Sequence, residues 1–220
     1  DELVVTDQDG DEIRVRDRGD GEYTFTMPAS RVTVEATFRE EGDEDVWFSD
    51  VAEDAYYYDA VMWAVENGIT NGTTATTFAP NAGCTRGQVV TFLWRAAGEP
   101  EPASTDCPFT DVSADAYNYE AILWAYENGI TGGTTATTFA PNNVCTRAQI
   151  VTFLWRSENS PEVTGGNAFS DVDASAYYAD AVDWAVENGI TQGTTATTFA
   201  PNNVCTRAQI VTFLYRSMEA

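Results

Sequence analysis

Apolar and polar positions follow two different periods along this chain. From residue 1 to residue 42 they alternate in short runs: Leu3-Val4-Val5, Ile13-Arg14-Val15-Arg16, Tyr23-Thr24-Phe25-Thr26 and Val32-Thr33-Val34-Glu35. A period of two sends successive side chains to opposite faces of a strand. Asp9-Gly10, Asp20-Gly21 and Pro28-Ala29-Ser30 separate the runs as turns. The pattern predicts a small antiparallel sheet of about four strands, with only a thin core of its own.

From Phe48 onward a longer unit recurs. Phe48–Arg95 aligns without a gap on Phe109–Arg156 and Phe169–Arg216. The linkers between them, AAGEPEPASTDCP and SENSPEVTGGNA, are rich in Pro, Gly, Ser and acids. Within the first copy, Val61, Trp63, Ala64 and Val65 form a broad apolar face, which predicts a helix from about Tyr57 to Asn67 with Gly68 as its C-terminal cap. Asp50, Asp111 and Asp171 stand before the turn into this helix and are expected to cap. TTATTFAP reads as a loop, and a second helix is expected over Thr85–Arg95 and its counterparts. Thr85-Arg86-Gly87-Gln88, Thr146-Arg147-Ala148-Gln149 and Thr206-Arg207-Ala208-Gln209 each fit a capping box: the Thr hydroxyl accepts from the backbone three residues on, and the Gln reaches back. The cysteine before each Thr, with Val89, Ile150 or Ile210, can complete a hydrophobic staple.

Two short helices are too little to bury Trp63, Phe78 and Phe92 within one copy. The fold class is therefore mainly α: three helix-loop-helix repeats, over residues 46–97, 107–158 and 167–218, in one pseudo-threefold, three-lobed unit spanning 46–218. A small antiparallel β element over residues 1–42 precedes it. The abrupt start on strand-like sequence is expected of a mature fragment, with the β element shortened from a larger module.

Charge narrows the function. Thirty-five acidic residues against 11 basic ones give a net charge of −24, and every basic residue is Arg. Such a surface repels nucleic acid and anionic lipid. No apolar run reaches the length of a membrane span, so no membrane insertion is expected. His is absent, which removes Ser-His and Cys-His catalysis and His-ligated metals. No C-x-x-C pair is present to suggest zinc or thioredoxin chemistry. Neither a metal nor a cofactor is expected. Carboxylates are abundant enough for glycoside hydrolysis, but an enzyme would rarely keep three near-identical sites. No catalytic residue is assigned.

F-x-D-V, a Trp-bearing helix, E-x-G-I-T, F-x-P-N and T-R-x-Q, in that order three times over about residues 46–218, resemble the S-layer homology family. The run EYTFTMPASRVTVEATF resembles the end of bacterial surface repeats related to the internalin B-repeat. The first resemblance implies a secreted module at the bacterial cell surface, monomeric as a module. It would hold a larger protein on the wall by binding a secondary cell-wall polysaccharide, often a pyruvylated one, in grooves between lobes. The family's T-R-A-E motif supplies the groove Arg. Two departures stand out. Gln88, Gln149 and Gln209 replace its Glu, and T-A-T-T-F-A-P replaces G-D-G-T-F-x-P, with Ala79, Ala140 and Ala200 where a basic or polar residue often sits.

The candidate ligand-binding residues are accordingly Arg86, Arg147 and Arg207, with Gln88, Gln149 and Gln209 beside them. An Arg at a helix start makes an anion site. The competing reading pairs each Arg with an Asp or Glu of a neighbouring lobe, and the resemblance favours the ligand. Tyr57, Tyr117 and Tyr177 offer flat faces for a sugar, against a packing role. Arg95, Arg156 and Arg216 close the second helix, where a cation is favoured, and read as structural. Arg18-Gly19-Asp20 and Asp7-Gln8-Asp9-Gly10-Asp11 read as turns rather than as adhesion or calcium motifs. Cys84, Cys145 and Cys205 occupy one position in three lobes and are expected far apart. Cys107 is expected to pair with Cys145, or failing that with Cys84. The alternative to anchoring is a structural or adhesive spacer that binds a protein partner.

Overall fold

The computed structural model describes residues 2–8, 11, 13–17, 23–37 and 48–219. They fall into two units, divided between Asp45 and Val46. The Asp9-Gly10 and Asp20-Gly21 turns, Arg18-Gly19-Asp20 and the linker over 40–46 lie outside the described residues.

The first unit carries four strands: β1 (Glu2–Asp7), β2 (Val15–Asp17), β3 (Tyr23–Phe25) and β4 (Val32–Thr37). They form two antiparallel pairs rather than one continuous ladder: β1 with β4, Val5 opposite Val34, and β2 with β3, Val15 opposite Phe25. The Ile13 N–H donates to the Val5 carbonyl at 2.7 Å, and Val5 is buried. The Asp7 carboxylate accepts from the Asp11 N–H at 3.0 Å, which fits a turn.

The second unit carries six helices among the described residues, two per repeat: α1 (Tyr58–Glu66) and α2 (Arg86–Ala96), α3 (Tyr119–Glu127) and α4 (Arg147–Ser157), α5 (Ala179–Glu187) and α6 (Arg207–Met218). All lie within a residue or two of their sequence expectation. The second helix of each repeat starts on a complete capping box. Thr85 Oγ1 accepts from the Gln88 N–H, and Gln88 Oε1 accepts from the Thr85 N–H, as happens again at Thr146/Gln149 and Thr206/Gln209. Gly68, Gly129 and Gly189 end the first helices at φ near +70°, a conformation that costs any residue with a Cβ.

The helices pair between repeats. The first helix of each repeat packs on the second helix of another: α1 on α6, α3 on α2, α5 on α4. This closes the three repeats into a ring, with the second helices meeting toward its centre. Phe78, Phe139 and Phe199 are fully buried beneath the loops, and one apolar cluster runs through all three lobes. Burial of each such ring contributes about 1.5–3 kcal/mol. Trp124 and Trp184 are buried in that cluster, and Trp63 tilts against Tyr215 across the first and last repeats, 5.6 Å between centroids.

A circle of three hydrogen bonds stitches the ring at its axis. The Cys84 N–H donates to the Cys205 carbonyl, Cys145 to Cys84 and Cys205 to Cys145, at 2.9–3.1 Å. The three cysteines are therefore neighbours, which corrects the expectation that symmetry keeps them apart. An equivalent position lies far from its copies only when it is far from the axis, and this one is on it. All four cysteines are free thiols. The expected Cys107–Cys145 bridge is likewise corrected: Cys145 is committed to the fully buried axis, whereas Cys107 is only partly buried.

Candidate functional site

A loop and a helix start from different repeats build each site. Asp50, Asp111 and Asp171 do not cap the helices they precede. Each carboxylate instead takes two backbone N–H groups of the later loop: Asp111 accepts from Phe139 and Ala140 at 2.8 and 2.7 Å, and Asp50 and Asp171 do the same at Phe78/Ala79 and Phe199/Ala200. That clamp holds Ala79, Ala140 and Ala200 at φ of 57–59°, where a side chain is strained by roughly 1 kcal/mol. Partial burial works against ionisation of Asp111 and Asp171, yet their N–H bonds outweigh it and hold both carboxyls below the usual range.

The same peptide groups face an arginine on their other side. Arg86 Nε donates to the Phe139 carbonyl, Arg147 to Phe199 and Arg207 to Phe78, all at 2.8 Å. Each guanidinium also lies over two rings: Arg86 over Phe139 and Phe153 at 4.7 and 5.2 Å, Arg147 over Phe199 and Phe213, Arg207 over Phe78 and Phe92. One peptide thus sits between a carboxylate and a guanidinium, N–H to the first and C=O to the second. The two readings of these arginines meet here. A carboxylate answers the charge, but through a peptide and without a direct ion pair. Burial pulls each arginine below its ordinary pKa, and only 3–4% of each residue is exposed. Arginine keeps its charge at neutral pH even so. Nη2 of Arg147 and of Arg207 is buried with no partner, and Arg86 Nη2 reaches Thr131 Oγ1 only at 3.5 Å.

The helix starts themselves are closed to a ligand. The Arg86 and Gly87 N–H groups donate to the Asn143 and Pro141 carbonyls of the next repeat, Arg147 and Ala148 to Asn203 and Pro201, and Arg207 and Ala208 to Ala82 and Pro80. The capping Thr takes the third N–H. The N–H groups that would complete an anion site at the helix start are thus already used by ring closure.

What remains open is a groove beside each buried arginine, of roughly 380–460 Å³. Every groove draws on all three repeats. The first combines Arg86, the Thr131–Thr134 loop with Gln149 and Arg156, and Tyr177. The second combines Arg147, the Thr191–Thr194 loop with Gln209 and Arg216, and Tyr56. The third combines Arg207, the Thr70–Thr73 loop with Gln88 and Arg95, and Tyr117. Among the described residues no carboxylate lines any of them.

Of the expected residues, Arg86, Arg147, Arg207, Gln88, Gln149, Gln209, Tyr117 and Tyr177 line grooves. Tyr57 does not; Tyr56 does. The gapless alignment from Phe48 puts Tyr56, not Tyr57, in register with Tyr117 and Tyr177, so the signal was present. Arg95, Arg156 and Arg216, which the sequence marks as structural, line the grooves as well. Their Nη1 atoms bond the Ile69, Ile130 and Ile190 carbonyls at 3.1–3.3 Å, and that anchors them beside the groove loops. Each groove thus holds two arginines from two repeats.

A family model described as the S-layer homology domain matches residues 48–90, 108–151 and 168–211. The chain belongs to the S-layer homology family. Its matched relatives include an endoglucanase of Bacillus sp. (strain KSM-635), 34% identical over 74% of this chain and 18% of that protein. A surface-layer 125 kDa protein of Lysinibacillus sphaericus is 32% identical over 74% of this chain and 14% of its own length. A cell surface protein of Thermoanaerobacter kivui is 29% identical over 78% and 21%. The chain spans about a fifth or less of these relatives. S-layer homology domains are non-catalytic anchoring modules that bind cell-wall polysaccharide, and membership puts this chain at the cell surface, anchored to the wall. No helix among the described residues is long and apolar enough to cross a membrane.

Proposed function

We propose that this S-layer homology module holds a larger surface protein on the wall by gripping an anionic secondary cell-wall polysaccharide, such as a pyruvylated one, in its three grooves. The observation that carries this reading is the pair of arginines in each groove, with no carboxylate among the described lining residues, in a chain of net charge −24. The buried arginine forms the floor and fixes the loop; the helix-ending arginine, far more exposed, meets the anion at the wall of the groove. The neighbouring Tyr covers the apolar face of the sugar. One chain completes all three grooves, so the module works as a monomer.

A charge-assisted hydrogen bond is worth about 1.5–3 kcal/mol, tenfold or more in affinity for each groove. Several grooves acting together add avidity, so single substitutions are masked. The test is therefore Arg95→Gln, Arg156→Gln and Arg216→Gln combined, followed by sedimentation with purified sacculi. The parent is expected to pellet with intact sacculi and to stay in solution once the non-peptidoglycan polymer is stripped. The folded triple variant is expected to stay in solution with both. Undiminished pelleting of the triple variant overturns the anion grip, and undiminished pelleting on stripped sacculi points to a protein or peptidoglycan partner instead. Raised salt weakens the grip by screening.

A further inference from the structure

The three grooves are lined by the same residue types at nine of ten positions. The exception is the middle residue of the Thr-x-Gly loop: Gly132 in the first groove, Gln192 in the second and Asn71 in the third. We infer that this position sets the strength of each groove, so that the second binds an anionic sugar most tightly, the third less and the first least. The inference rests on the anion grip proposed above and ranks its sites.

Steric need does not explain the glycine. A Cβ added at Gly132 meets nothing within 4 Å, and its φ lies outside the left-handed region, so neither contact nor backbone requires glycine there. The next residue is different: a Cβ at Gly133 would stand 2.5 Å from the Phe109 ring, and glycine is required there. Gln192 and Asn71 are exposed at the lip, and no hydrogen bond ties either amide to the described residues. An amide offers both donors and an acceptor to the hydroxyl or acylamino groups that flank a sugar's charge. The second and third grooves are separated by Glu99, which lies 3.6 Å from Arg95 Nε and offsets part of the third groove's charge.

Loop glycines give each groove its own reporter. The full chain is titrated with a pyruvate-ketal hexoside, and the amide signals of Gly193, Gly72 and Gly133 are followed by NMR. Gly193 is expected to saturate first, Gly72 next and Gly133 last, each roughly three- to tenfold apart, the worth of one ordinary hydrogen bond. Gly132→Gln is expected to tighten the Gly133 curve by that factor, and Gln192→Gly to loosen the Gly193 curve, while the other two curves stay put. Both positions are exposed, so both variants fold. Three coincident curves, or a Gly133 curve indifferent to Gly132→Gln, overturn the ranking and leave the anion grip standing. No shift at any of the three glycines overturns the grip and the ranking together.

Discussion

The axis and the grooves lie two residues apart in sequence, at Cys84 and Arg86 and their copies, and each breaks the threefold pattern with one glycine. At the axis Gly83 stands where the other repeats have Val144 and Val204. A Cβ on it would meet Val144 Cγ1 at 2.7 Å and Val204 Cγ1 at 3.0 Å. Two valines fill that mouth and a third has no room. In the grooves Gly132 stands where the other repeats have Asn71 and Gln192, and there the space is empty. Packing dictates the first exception. The second has no packing reason, which is why a difference in ligand affinity is its natural reading.

The two regions also treat polar groups differently. At the axis the Cys84, Cys145 and Cys205 backbones satisfy one another in a closed circle. Its thiols are buried, which raises all three, with Cys145 and Cys205 pushed up to about 12. The grooves bury a charge on each floor, hold the helix-ending arginines at the lip through the Ile69, Ile130 and Ile190 carbonyls, and in two of them carry a lip amide, Asn71 or Gln192, that no hydrogen bond ties to the described residues. Closure belongs to the axis, and contact with solvent to the grooves.

The sharpest test of that division compares the two arginines of one groove. Arg147→Ala removes a bond to the Phe199 carbonyl and a stack on two rings, leaving a buried acceptor unpaired. It is expected to cost about 2–4 kcal/mol in urea unfolding. Arg216→Ala, at the exposed lip, is expected to stay within about 1 kcal/mol in the same measurement. Equal losses would put both arginines in the scaffold. The two glycines come next. Gly83→Val overpacks the axis mouth and should cost about 1–3 kcal/mol, while Gly132→Val should fall within about 0.5 kcal/mol. Reversed costs would dissolve the contrast.

Smaller effects follow at the axis thiols. Cys145→Ser buries a hydroxyl where no partner waits, at about 1–2 kcal/mol, with groove affinity unchanged. Alkylation of the native protein should label Cys107 alone, since Cys84, Cys145 and Cys205 are buried and hold their protons. Cys107 labelling that appears only after reduction would restore the bridge that the structure lacks. The smallest effect is on the acid side. The folded pKa values of Asp111 and Asp171 lie below their unfolded ones, so their loop clamps stabilise fully above the ordinary carboxylate range. That contribution disappears as pH falls through the depressed folded values. Asp111→Asn with Asp171→Asn should therefore flatten the acid limb of a melting-temperature profile and leave its slope above neutrality alone.

The chain alone determined most of what is held within a few residues of itself. The capping boxes at Thr85, Thr146 and Thr206, the six helices and the position of the groove arginines follow from spacings of three or four residues, where bond geometry is fixed locally. Even the groove tyrosine was legible, because gapless repeats put Tyr56 in register. Only the tertiary structure decided who meets whom when the ring closes. Arg207 bonds Phe78 across 129 residues, α1 packs on α6, and the Cys84, Cys145 and Cys205 backbones bond in a circle. A repeat's own sequence is the same whether its helix packs on itself or on a neighbour, so periodicity cannot choose between them. Closure makes that choice, and in making it uses the helix-start N–H groups, turns Asp50, Asp111 and Asp171 from helix caps into loop clamps, and leaves the arginine grooves open.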